Sequence, residues 1–172
     1  NLAACCFTGH KGLMGPQGTG GILWREDFAA ACRPLIEGGT GSFSHEEVQP
    51  SVLPDKFEAG TPNLPGLAGL LASLDWLKEK GIDTVRRREE EMGKKLIEGL
   101  LQIPGITLYG KRTMSGRLSV FALNFENLDN GRAALELADR WGIETRPGLH
   151  CAPAAHRTLE SFPQGALRLS PG

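Results

Sequence analysis

The stretch Phe7-Thr8-Gly9-His10-Lys11-Gly12 closes an apolar run of strand composition, and Gly15-Pro16-Gln17-Gly18-Thr19-Gly20-Gly21 comes shortly after it. It is not a Walker A loop, because Lys11 precedes the glycines and no Gly-Lys-Ser/Thr closes the run. A dinucleotide fingerprint fails too: Gly18 and Gly20 would need a third glycine where Leu23 stands. What remains is a lysine on backbone stiffened by a strand, among residues that let a ligand come close. An amine held this way suits Schiff-base chemistry. An exposed loop lysine is the plainer reading, and on these residues alone it is the commoner one.

Further along, Gly38-Gly39-Thr40-Gly41-Ser42 and Phe57-Glu58-Ala59-Gly60-Thr61-Pro62-Asn63 combine small residues with hydroxyls. Unshielded backbone N–H groups and side-chain donors are what a phosphate needs, although ordinary turns use the same residues. The second stretch also lies just ahead of a predicted helix, whose start presents free N–H groups. Near the far end stands Thr145-Arg146-Pro147-Gly148-Leu149-His150-Cys151-Ala152-Pro153. A cysteine in a Gly/Pro loop beside a histidine and near an arginine has the setting of a reactive thiol, although most free cysteines are buried small hydrophobes. Arg168 alternates with Leu167 and Leu169, so as a strand residue it points away from their face, toward an anion or toward water.

Periodicity supplies the frame. Residues 2–7 and 21–24 read as strands. Leu67, Leu70, Leu71, Leu74 and Leu77 form one helical stripe, with Pro65 near its start and Gly81 at its stop. A second helix is predicted over 83–101, where Arg86-Arg87-Arg88-Glu89-Glu90-Glu91 sets opposite charges three and four apart, a solvated face. Strands are predicted over 106–109, 118–125, 143–146 and 166–170. Between them, a helix capped by Asp129-Asn130 runs to Gly142, and a short one covers 156–162.

The chain has 172 residues, with 19 Lys plus Arg against 20 Asp plus Glu. A net charge of −1 argues against a general nucleic-acid or membrane-surface binder. No apolar stretch approaches the roughly 20 residues of a bilayer span. Four cysteines fit neither a disulfide framework nor a C-x-x-C metal site, so a reducing, cytoplasmic compartment is expected. Glycine makes up 23 of 172 residues, about 13% against a usual figure of about 7%. The chain opens inside an apolar run without an initiator methionine and stops on a strand entering a turn, so a piece of a larger protein is expected.

The motifs occur in a fixed order: Thr8-Gly9-His10-Lys11-Gly12, Gly15-Pro16-Gln17-Gly18-Thr19-Gly20, Gly38-Gly39-Thr40-Gly41, Phe57 to Asn63, the 146–151 loop, and Arg168-Leu169-Ser170. In that order the chain resembles the cysteine desulfurases of the class V aminotransferase family, which are pyridoxal 5'-phosphate (PLP) enzymes of fold type I. The resemblance covers essentially the whole chain. It implies an α/β fold in which 1–82 is the C-terminal part of the large PLP-binding domain and 83–103 an interdomain helix. Residues 104–172 would then be a small α+β C-terminal domain, incomplete at its end.

The resemblance also implies roles. Lys11 would carry PLP, with Thr8 and His10 on its phosphate and Gly39, Thr40 and Thr61 reaching that phosphate from a neighbouring subunit. A homodimer with shared active sites follows. Arg168, helped by Arg146, would clamp the carboxylate of L-cysteine, and Cys151 would take its sulfur as a persulfide, leaving alanine. A sulfur-acceptor protein is an implied partner. His150 would keep the local field positive or move a proton.

Two departures stand out. Leu149 sits where related loops often carry a second histidine. The family's aspartate for the pyridine nitrogen and its ring-stacking histidine are outside this sequence, so the chain alone is expected to be almost inactive. Selenocysteine lyase would share nearly every residue. A class V aminotransferase, lyase or epimerase would keep Lys11 and Arg168 without persulfide chemistry. The remaining alternative is an inactive fragment or scaffold that dimerises.

Overall fold

The computed structural model describes residues 2–172; Asn1, where the missing initiator methionine was read, lies outside the described residues. The chain divides into two units, the first ending at Gly81 and the second running Ile82–Gly172. The helix that the sequence reading set apart as 83–103 is α3 (Ile82–Leu100), and it is grouped with the second unit.

In the first unit, β1 (Ala4–Thr8) pairs antiparallel with β2 (Gly20–Trp24), in register from Ala4 opposite Trp24 to Thr8 opposite Gly20. Lys11 therefore lies in the connection between paired strands. A short helix the sequence did not announce, α1 (Glu26–Ala31), follows β2. It is too short to develop a periodic stripe. Its C-terminal carbonyls are instead satisfied from a distance: the buried Lys56 donates to the Ala29 carbonyl at 2.8 Å and the Ala30 carbonyl at 3.0 Å. Trp24 stacks on Phe57 with ring centroids 4.7 Å apart, fixing the 57–63 stretch to β2.

Helix α2 (Leu64–Lys80) starts where Asn63 accepts a hydrogen bond from the Gly66 N–H and stops at Gly81, φ 80°. Of the predicted leucine stripe, Leu70 and Leu77 are buried, whereas Leu67, Leu71 and Leu74 are exposed. The stripe is helical as read, but within this unit only one edge of it meets a partner.

The second unit is the α+β arrangement the sequence implied. Its strands β3 (Ile106–Tyr109), β4 (Phe121–Phe125), β5 (Arg146–Gly148) and β6 (Ala166–Leu169) form one antiparallel sheet in the order β3-β4-β6-β5. Ile97 and Leu100 of α3, Ala133 of α4 (Asn130–Trp141), and Phe121, Leu123 and Leu167 of the sheet make the core. The Arg86–Glu90 pair, 2.8 Å apart and exposed, confirms the charged block as a solvated helix face.

Three boundaries differ most from the sequence reading. The strand expected over 118–125 begins only at Phe121, because the Ser119 hydroxyl bonds the Glu89 carbonyl and the Val120 N–H bonds the Leu118 carbonyl. The strand expected over 143–146 is displaced to Arg146–Gly148 at the sheet edge, where a strand tolerates Pro147. The helix expected over 156–162 is α5 (Pro153–Thr158), started by Pro153.

Asp129 caps α4 twice, accepting from the N–H groups of Gly131 at 2.9 Å and Arg132 at 3.0 Å. Asp129→Ala should cost about 1 kcal/mol, read as a lower urea midpoint with an unchanged slope.

Candidate active site

The loop that carries Lys11 is held by glycines that permit close contact. Gly9 is buried against the Thr19 side chain, where a Cβ would collide with the hydroxyl. That hydroxyl donates to the Pro16 carbonyl at 2.6 Å, and the Gly9 N–H donates to the Thr19 carbonyl at 2.8 Å. The loop also rests on the first turns of α2: a Cβ on Gly15 would lie 2.7 Å from Leu70, and one on Gly66 2.9 Å from the Thr19 methyl. A folded-back loop of this kind turns the side chain at its tip outward. Lys11 is exposed accordingly, preceded by Thr8 and His10, whose Oγ1 and Nδ1 are hydrogen-bonded at 3.2 Å. By contrast, Lys56 is committed to α1, and Lys111 donates to the Ser115 and Gly116 carbonyls.

A second cluster in the same unit joins two of the predicted phosphate stretches. The Gly60 N–H donates to the Gly38 carbonyl at 2.8 Å, and Gly39, φ 70°, sits so close that its Cβ would be 3.2 Å from Gly60 Cα. Gly39-Thr40 and Thr61 are thereby held side by side. Gln49, which the sequence reading passed over, secures them: its Oε1 accepts from the Gly38 N–H at 2.8 Å, and its Nε2 donates to the Asp55 carbonyl at 2.7 Å. No local pattern marks such a residue. No hydrogen bond among the described residues connects this cluster to the Thr8–Lys11 group.

In the second unit the two predicted arginines are cross-strand partners, Arg146 of β5 directly opposite Arg168 of β6. Directly opposed residues of antiparallel strands share a face. Leu167 is fully buried on the other face, so Arg168 points where its alternation indicated. Its Nε is buried and has no partner among the described residues. Two guanidinium groups side by side, one with an unsatisfied buried donor, suit a carboxylate.

Strand β5 leads into a turn over 149–152, closed by the Ala152 N–H donating to the Leu149 carbonyl at 2.9 Å. Its central residues, His150 at φ 52° and Cys151 at φ 60°, both lie in the left-handed region. Positive φ at both central positions is the type I′ pattern, usually filled by Asn and Gly. Cys151 is exposed at the apex, as the loop reading expected. The His150 Nε2 lies 2.8 Å from the Arg146 carbonyl, which can only accept, so Nε2 carries the hydrogen. Two further residues near this turn, His156 and Ser161, were passed over in the sequence; both are buried, with Nδ1 of His156 2.8 Å from the Ser161 hydroxyl.

The class-V aminotransferase family profile matches residues 2–171. The chain belongs to that family. It is 36% identical over 169 residues to a probable cysteine desulfurase of Pyrococcus abyssi, a match covering 95% of this chain and 40% of the relative. Among solved structures, it superimposes on the apo cysteine desulfurase of Thermococcus onnurineus NA1 with a TM-score of 0.81 at 33% identity, covering 98% of this chain and 42% of that one. The cysteine desulfurase of Escherichia coli gives a TM-score of 0.80 at 30% identity, covering 98% and 41%. The fold is thus a portion of the α/β architecture of the PLP-dependent fold type I transferases, and the chain spans about 40% of the length of these class V relatives.

A non-glycine residue in the left-handed region is strained. Cys151→Gly should therefore raise stability by about 1 kcal/mol, the relief of strain less the extra chain entropy of glycine, measured as a higher urea midpoint.

Proposed function

We propose that this chain carries the lysine and the cysteine of a PLP-dependent cysteine desulfurase, which converts L-cysteine to L-alanine and leaves a persulfide on Cys151. The observation that carries the reading is the exposed Cys151 thiol at the apex of a strained turn, leading out of a strand whose Arg146 is registered against Arg168. A class V aminotransferase or lyase would use the arginines and have no need of that thiol.

The donor set fits PLP and its substrate. Lys11 offers an exposed amine, with two phosphate donors, Thr8 and His10, just before it in the loop. Gly39, Thr40 and Thr61 form a separate group of backbone and hydroxyl donors. In this reading that group serves the phosphate of a neighbouring subunit, which makes the enzyme a homodimer with shared active sites. When bound, PLP supplies the electron sink that acidifies the substrate Cα–H.

The chain's own groups do the rest. Arg168 pairs with the substrate carboxylate through its buried, unpartnered Nε, and Arg146 adds a second positive charge on the same face. The Lys11 amine takes the Cα proton. Cys151 attacks the substrate sulfur as thiolate: an S–S bond forms, the Cβ–S bond breaks, and its electron pair stays on the carbon skeleton until protonation yields alanine. The persulfide then passes to an acceptor protein. Four free thiols, three of them exposed, favour a reducing, cytoplasmic setting.

Two substitutions in the full protein test this. Lys11→Ala should abolish borohydride-stable attachment of PLP, whereas attachment at Lys56 or Lys111 instead would refute the assignment. Cys151→Ser should keep the visible spectrum of the bound cofactor and reduce alanine release from cysteine to background. Wild-type release from that variant would move the assignment to a class V lyase without persulfide chemistry. Release from selenocysteine alone would make the enzyme a selenocysteine lyase.

A further inference from the structure

His156 is a buried titratable side chain that the chemistry above does not use. It is 5% exposed, sits in α5, and is held on both sides. Its Nδ1 lies 2.8 Å from the Ser161 hydroxyl, its N–H donates to the Ala152 carbonyl at 3.2 Å, and its carbonyl accepts from the N–H groups of Ser161 at 2.9 Å and Phe162 at 3.2 Å. The second of these bonds ties it to the residue that closes the Cys151 turn. Its ring faces that of His150, with centroids 5.9 Å apart at 45°. His150 in turn is bonded at Nε2 to the carbonyl of Arg146, the residue opposite Arg168.

We propose that His156 is a positioning residue for the Cys151 thiol: its ring, fixed by Ser161, holds the His150 imidazole with Nε2 on the Arg146 carbonyl and Nδ1 free. The reasoning rests on the tautomer. With Nε2–H committed to a carbonyl, the neutral His150 ring carries its lone pair on Nδ1. Nδ1 is then the ring atom able to accept a proton from the thiol of Cys151, the next residue of the turn. In that step the Cys151 S–H bond breaks, an N–H bond forms on His150, and the electron pair stays on sulfur for attack on the substrate. Without a ring beside it, a half-buried His150 on a two-residue turn would rotate out of this pose. The inference rests on the desulfurase reading for its purpose, but its main measurement does not.

The test uses the full protein with PLP bound. His156→Asn leaves a polar group for Ser161 but removes the ring beside His150. The kcat for alanine release should fall about tenfold with KM for cysteine unchanged, since the substrate-binding arginines are untouched. Alkylation of Cys151 by iodoacetamide, located by mass spectrometry, should slow by about the same factor, with the visible spectrum unmoved. His156→Phe keeps the ring and should restore alkylation to within about threefold of wild type. Ser161→Ala, which frees the ring of its anchor, should slow alkylation about threefold and serves if His156→Asn does not fold.

Wild-type alkylation in every folded variant overturns the proposal, and so does His156→Phe reacting as slowly as His156→Asn. Alkylation requires neither PLP nor cysteine. If the desulfurase reading fails, the wild type releases no alanine yet the variants still rank by alkylation rate. If only the positioning role fails, alanine is released and the alkylation rates coincide.

Discussion

Gly165 lies flat against the carbonyl of Gly148, with no room between them for a methyl group. That contact is possible only because Gly165 has no Cβ, while Gly148, at φ 114°, holds a backbone conformation that glycine alone adopts freely. It lets β5 close on β6 at the start of β6, and the register that follows sets Gly148 against Ala166, Pro147 against Leu167 and Arg146 against Arg168. A shift of one residue would turn Arg168 into the core and Leu167 into solvent. Asn124 guards the same corner, donating to the Gly165 carbonyl at 3.0 Å. The arginine pair, the direction in which β5 leaves the sheet, and the turn that carries Cys151 all descend from this one close approach.

The first unit solves its own problem in a related way. Its lysine loop must fold back on itself and still leave no buried backbone group unpaired. Gly9 and Gly15 allow the backbone to press onto Thr19 and Leu70, and the loop then satisfies itself through Gly9, Thr19, Gly15 and the Thr19 hydroxyl. Lys56 shows the opposite use of the same side chain. A buried ammonium is costly unless its donors are matched, and two carbonyls at the end of α1 match them. Identical chemistry is thus spent on structure at position 56 and left open at position 11.

What was legible in the sequence was whatever local chemistry decides. Asp129 as a cap, Pro65 near a helix start, Gly81 and Gly142 as stops, and the leucine line through Leu70 and Leu77 all act within a few residues of themselves. Lys11, Arg168 and Cys151 were singled out by motif order; in the structure Lys11 and Cys151 are exposed, and Arg168 lies on the sheet face opposite the buried Leu167. What could not be read depends on partners distant in the chain. The register of Arg146 on Arg168 is a pairing across 22 positions, fixed by a glycine contact that no window of sequence displays. Gln49 acts on residues 6 and 11 positions away through loops of no regular period. The displaced start of β4 follows from Ser119 reaching Glu89, 30 residues back.

The Cys151 turn shows why strain and register belong together. Each non-glycine residue in the left-handed region costs roughly 1–2 kcal/mol, and two in succession take a noticeable part of the roughly 5–15 kcal/mol by which a domain is stable. Such a conformation persists only if its surroundings over-determine it. Here they do so from both ends. On the strand side, the β5–β6 ladder fixes Gly148, and the Arg146 carbonyl holds the His150 ring. On the helix side, Pro153 starts α5 and His156 draws Ala152 into its first turn. An Asn-Gly pair would relax the turn and leave the β5–β6 ladder and α5 in place, but it would remove the thiol and the imidazole, with its bond to the Arg146 carbonyl. The strain is therefore the consequence of placing an imidazole and a thiol at the apex of a turn whose backbone neither residue prefers.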